Sequence, residues 1–116
     1  MIRLRLLQRT KMLAQTPKPP YYAVIFSAAQ SSTLDGYYEM AERMVELASQ
    51  QDGFLGVESA QGNPEITVSY WENEDCILKW RSNLEHQEAQ IQGKELWYDA
   101  FEIRIAKVER AYSFVK

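Results

Sequence analysis

Thiols and imidazoles are almost missing from this 116-residue chain, in which Cys76 is the single cysteine and His86 the single histidine. That excludes an intramolecular disulfide and a zinc site built from several Cys and His ligands. A lone thiol fits a reducing, cytoplasmic compartment. No uninterrupted apolar run approaches the roughly 20 residues a membrane-spanning helix needs, so no membrane association is expected. Arg5, Arg9 and Lys11 interrupt any apolar signal region near the amino terminus. Acidic residues are missing from residues 1–20, which carry Arg3, Arg5, Arg9, Lys11 and Lys18. Because the formal net charge of the whole chain is −3, the acidic excess lies beyond residue 20. A basic arm of this kind can touch nucleic acid, yet the body lacks the basic, aromatic-lined surface of a nucleic-acid binder. No nucleic-acid partner is expected.

What is present suits one globular domain, with 46% hydrophobic and 25% charged residues in a length that holds one core. Residues 1–16 read as a flexible basic leader and residues 17–116 as the domain. Between them Thr16-Pro17-Lys18-Pro19-Pro20 is stiff and extended, since proline fixes its own φ and biases the preceding residue away from helix.

Tyr21 to Ala28, rich in aromatic and branched residues, predicts a first strand. Ser31, Ser32 and Thr33 offer caps for a helix in which Leu34, Tyr37, Tyr38, Ala41, Met44, Val45 and Ala48 recur at three- and four-residue spacing. Asp52-Gly53 supplies a left-handed stop near its end. Phe54 to Ala60 and Glu65 to Trp71 read as a hairpin around Gln61-Gly62-Asn63-Pro64. Asn73 caps a second helix with Ile77, Trp80 and Leu84 on its inner side, and further helical chain runs to about Trp97. The last strand is expected from Tyr98 to Tyr112. Its apolar alternation changes phase between Ile105 and Ala106, which one extra residue, a β-bulge, would explain.

The order β-α-β-β-α-β is that of the α+β, ferredoxin-like arrangement: an antiparallel four-stranded sheet with both helices on one face. The other face needs cover, and a second copy packed sheet to sheet provides it. A homodimer is therefore expected.

Several segments carry a family resemblance. Pro19-Pro20-Tyr21-Tyr22-Ala23-Val24-Ile25-Phe26, Gly53-Phe54-Leu55-Gly56, Ile66-Thr67-Val68-Ser69-Tyr70-Trp71-Glu72 and the stretch from Trp97-Tyr98 to Val108-Glu109-Arg110 resemble the antibiotic biosynthesis monooxygenase family. So does the spacing of Trp71, Trp80, His86, Ala89-Gln90, Gly93 and Trp97-Tyr98. The resemblance implies a dimeric α+β barrel with a cavity between sheet and helices in each subunit. It implies relatives that include cofactor-independent oxygenases of aromatic polyketides, quinol oxygenases and haem-degrading enzymes.

Oxygenation without a cofactor needs a substrate whose anion can itself reduce molecular oxygen, so the protein supplies a base and a dry pocket. His86 is the natural base, because histidine alone has an unperturbed pKa (~6.5) near neutrality. Trp80 lies on the inner face of the second helix and can share a cavity with Trp71. Gln90 follows His86 by four residues, which puts its amide on the same helical side, able to orient the imidazole. Phe26, Ser27, Ser69, Trp71, Tyr98 and Arg104 are the candidate contacts for a small aromatic substrate. Core packing is the competing account for each tryptophan, and edge or interface contacts for Glu102 and Arg104.

Two other functions compete with the oxygenase reading. Haem degradation finds Trp80 in place, but the axial histidine of those enzymes falls at Gln90 and their first-strand asparagine at Phe26 or Ser27. Iron bound by His86, one turn earlier, would move the haem ~6 Å along the helix. A non-catalytic dimer that binds a small molecule or serves as an interaction module remains the other alternative; it would show a packed core and an exposed apolar patch. No glycine-rich dinucleotide fingerprint or metal-ligand set occurs, so no cofactor is expected.

Overall fold

The computed structural model describes residues 12–85 and 96–116. Its elements are β1 (Tyr21–Gln30), α1 (Tyr37–Ser49), β2 (Phe54–Ala60), β3 (Glu65–Trp71), α2 (Glu74–Glu85) and β4 (Tyr98–Val108). They form one antiparallel sheet in the order β2-β3-β1-β4, the ferredoxin-like arrangement.

Register decides which residues share a face. Tyr22, Val24, Phe26 and Ala28 of β1 lie opposite Trp71, Ser69, Thr67 and Glu65 of β3, and opposite Lys107, Ile105, Ile103 and Phe101 of β4. This face meets the helices: Trp71, Ile77 of α2 and Ala48 of α1 make the buried centre, with Tyr22, Val24, Phe54, Cys76 and Trp80 packed around it. The helix-free face carries Tyr21, Ala23, Ile25 and Ser27 beside Tyr70, Val68 and Ile66.

Residues 12–16, which composition assigns to a leader, lie on that helix-free face. The Ala14 N–H donates to Glu58 Oε2 at 3.1 Å, and the Thr16 hydroxyl donates to the Tyr21 hydroxyl at 3.0 Å. Glu58 also accepts from the Tyr70 hydroxyl at 2.6 Å. The contact demands a glycine in β2, because a Cβ on Gly56, whose φ is 155°, would fall 2.7 Å from the Ala14 methyl.

Local rules placed the hairpin and the start of α2 correctly, the latter because Asn73 Oδ1 accepts the Cys76 N–H at 3.0 Å. Three expectations are corrected. α1 begins at Tyr37, later than the serines suggest, since Gly36 in a left-handed conformation (φ 78°) precedes it and the Ser31 hydroxyl instead accepts the Thr33 N–H at 3.1 Å. Its other end is as expected: α1 ends at Ser49 with Gln50 as its cap, and Gly53 is left-handed. The β-bulge lies at Asp99, where Ala29 and Gln30 pair with Ala100 and Tyr98, and pairing runs unbroken through Ile105 and Ala106. The apparent phase change arises because apolar residues fall on both faces of β4: Ile105 faces the helix side beside Val24, and Ala106 the other side beside Ala23. β4 ends at Val108, short of Tyr112.

Candidate functional site

Two aromatic groups line the helix side of the sheet. At one end Trp71, with 0% of its surface exposed, stacks on Trp80 at 6.0 Å between ring centres and 28° between planes. Phe54 meets Trp71 edge-on at 5.4 Å, and the Trp71 indole N–H donates to Ser69 Oγ at 2.9 Å. Alternation along β3 puts Ser69 on the same face as Trp71, so the serine satisfies a donor that burial would otherwise strand.

At the other end Phe26 packs on Tyr98 at 5.4 Å and on Phe101 at 5.6 Å. Tyr37, the first residue of α1, meets Tyr98 at 6.0 Å and Trp97 at 5.7 Å, both edge-on. The Trp97 indole N–H donates to the Asp35 carbonyl at 2.9 Å, which ties the chain entering β4 to the chain entering α1. Outside this layer a groove of about 380 Å³ opens between Asp35, Gly36, Glu39, Arg43, Leu96 and Trp97.

Glu65 is set among these rings with only 3% of its surface exposed. Its carboxylate accepts the Tyr37 hydroxyl through a close contact and Gln30 Nε2 at 3.4 Å. Burial, aided by the hydrogen bond to Glu65, drives the Tyr37 phenol well above its ordinary range. Burial first and the Glu65 charge second push Tyr98 up to about 12. Both phenols therefore stay protonated across the physiological range. On the helix-free face, burial and then the bond to Glu58 also raise Tyr70.

The sequence-derived candidates separate into groups. Trp71, Trp80 and Ser69 form the first end, Phe26 and Tyr98 the second. Ser27 lies opposite Glu102, and Arg104 opposite Ile25, so both belong to the helix-free face and do not join the others. Arg104 is ion-paired with Glu102, both side chains being well exposed. His86 and Gln90 lie outside the described residues. Glu65 and Tyr37 were not singled out as site residues by sequence reasoning, which treats one as a strand start and the other as a helix packing residue. One signal was available: Glu65 shares its alternation with Thr67, Ser69 and Trp71, which puts a carboxylate on the buried face.

Comparison with known proteins agrees with this architecture. The profile described as Antibiotic biosynthesis monooxygenase matches residues 20–92. An uncharacterized Bacillus subtilis (strain 168) protein, YqjZ, is 53% identical over 105 residues, spanning 88% of this chain and 91% of that protein. Among solved structures, SnoaB, a cofactor-independent oxygenase from Streptomyces nogalater (mutant N63A), superposes with a TM-score of 0.68 at 9% identity, covering 78% of this chain and 95% of its own. The Nitrosomonas europaea protein NE2512 superposes with a TM-score of 0.63 at 10% identity, covering 86% of this chain and 100% of its own. At such identities the superpositions establish the shared fold, while the profile match and the B. subtilis relative establish kinship. The chain belongs to the antibiotic biosynthesis monooxygenase family.

Proposed function

We propose that this protein is a cofactor-independent monooxygenase of a small aromatic substrate, a phenol, quinol or anthrone-like carbon acid, and that it works as a homodimer. The observation that carries the reading is the aromatic lining on the helix side of the sheet, with Trp80 on Trp71 at one end and Phe26, Tyr98 and Phe101 at the other. Offset and edge contacts of this kind suit a flat, electron-rich ring. The structurally similar SnoaB is a cofactor-independent oxygenase, which supports the same reaction class.

In this reading His86 is the base, and it follows directly on α2, the helix that carries Trp80. Removing one proton from an activated CH₂ leaves an anion that can reduce molecular oxygen and form a C–O bond. Loss of the second proton with cleavage of the O–O bond gives a carbonyl and water. One oxygen atom enters the product and the other leaves as water, so the substrate is the only reductant. Gln90 orients the imidazole. On the helix-free face the apolar Ile66 is 42% exposed, which supports packing against a second sheet.

Oxygen consumption over a panel of such substrates, in buffer free of metal and flavin, tests the reading. His86→Ala should lower the rate by ~10²- to 10⁴-fold, with the dimer mass from light scattering unchanged. Equal rates would remove His86 from the mechanism. No uptake with any substrate would favour the binding-module alternative.

A further inference from the structure

We propose that β4 is a pairing edge for a second copy of this chain, and that the two β4 strands run antiparallel about a two-fold axis through Ile103. The inference rests on the proposed function only in taking the protein to be a homodimer. It adds the strands that meet, their register and the charges that select it.

β4 is the strand that needs a neighbour. Among the described residues it is joined to β1 alone, so the outer edge of an 11-residue strand is left without a partner strand. Its side chains are open as well: on the helix side Phe101 is 38%, Ile103 50% and Ile105 47% exposed. A long apolar edge of this kind is a template for another chain, whose backbone supplies partners for its free N–H and C=O groups.

The order of residues in β4 names the partner. Two identical strands paired antiparallel about a two-fold place residues equally far from the axis opposite one another. Counted outward from Ile103, Glu102 meets Arg104, Phe101 meets Ile105, Ala100 meets Ala106, Asp99 meets Lys107 and Tyr98 meets Val108. Along the strand every acid thus faces a cation and every apolar residue an apolar one. Opposed residues share a face, so Glu102 and Arg104, already ion-paired within the chain and well exposed, join their counterparts in a closed ring of four alternating charges. Moving the axis by one residue sets Glu102 or Arg104 against its own copy, which like charges oppose. β2, the other edge of the sheet, carries Glu58 but no cation, and would leave Asp99 and Glu102 unmatched.

The pairing also reaches the aromatic site. Ile105 of the partner subunit comes to lie beside Phe101, which packs on Phe26 and Tyr98, so the second copy extends the apolar lining on the helix side. The joined sheet has twice the four strands of one copy, and curling toward its helix-free side turns the two faces that carry Ile66 toward one another.

Site-directed crosslinking reads the register. Each cysteine variant is made together with Cys76→Ser, which removes the chain's own thiol. Directly opposed Cα atoms in an antiparallel pair lie ~4.5–5.5 Å apart, within reach of a disulfide. Ile103→Cys should therefore oxidise to a covalent dimer about tenfold or more faster than Lys107→Cys, whose two copies would stand ~27 Å apart along the strands. Glu102→Arg should raise the dimer dissociation constant about tenfold, measured by light scattering against concentration, because the axis repeats each like-charge pair. Adding Arg104→Glu should bring it back near the wild-type value. A dimer in which Ile103→Cys crosslinks no faster than Lys107→Cys, or in which the charge swap fails to restore affinity, would overturn this register and leave the homodimer standing. A monomer at every concentration would overturn both, while oxygen uptake decides the oxygenase reading separately.

Discussion

At the Trp71 end of the sheet a buried donor is satisfied by a neighbour two positions away, Ser69. At the Glu65 end a buried acceptor is satisfied by Tyr37, 28 residues upstream, and by Gln30, 35 residues upstream. The first arrangement is a property of one strand and forms wherever that strand pairs. The second exists only when the start of α1, the end of β1 and the start of β3 have all docked. The difference teaches where rigidity and where chemistry are to be sought. The tryptophan end is an apolar core with one local polar bond, whereas the tyrosine end holds a charge whose partners come from separate elements.

The sharpest way to break this contrast is to remove the apolar anchor. Trp71→Ala should lower unfolding free energy by ~3–5 kcal/mol, because a fully buried indole leaves a cavity against Phe54, Trp80 and Ile77; urea denaturation at neutral pH measures it. A loss below ~1 kcal/mol would mean that the two ends do not differ as described.

The polar end should give less, and give it non-additively. Glu65→Leu strands the Tyr37 hydroxyl and should cost ~1–3 kcal/mol. Tyr37→Phe added to Glu65→Leu should cost little more, or recover part of the loss, so that a double-mutant cycle yields a clear coupling term. Additive effects would show that the two groups are not partners.

The smallest effect is expected in alkali. Tyr98 is an acid whose folded pKa, about 12, lies above its unfolded value of 10. From pH 10 to 12 the unfolded chain has lost this proton while the folded chain retains it. The contribution of Tyr98 is thus fully present below pH 10 and is lost as the pH climbs toward 12. Tyr37 and Tyr70, both raised, add to the same trend. Tyr98→Phe should make the fall of the thermal midpoint above pH 10 shallower than in wild type. Identical slopes would detach Tyr98 from the buried cluster.

Much of the local structure was legible from residue order. The hairpin followed from alternation between Phe54 and Trp71, and the start of α2 from an asparagine cap. The beginning of α1 was not, because several residues before Tyr37 are chemically able to cap a helix, and the choice of Gly36 is bound up with how Asp35 and Trp97 dock. The β4 bulge was misplaced because the alternation rule assumes one polar face, and β4 has apolar residues on both. The tryptophan end was anticipated, since its members share strand and helix periodicities. Glu65 and Tyr37 escaped because a carboxylate after a turn and a tyrosine on a helix are ordinary in sequence. Only their tertiary meeting gives them meaning.

Gly53 has one more consequence, a practical one. A methyl group added there would fall 2.3 Å from Cys76 Sγ, so the thiol at the first turn of α2 is seated directly against the turn that leads into β2. Cys76 is only partly exposed, and a bulky thiol reagent reaches it more slowly while that turn stays closed. The rate at which Cys76 is labelled therefore reports how often the first turn of α2 lifts from the sheet. The chain carries its own single-site probe of local opening at the tryptophan end, and no residue has to be engineered in or removed to read it.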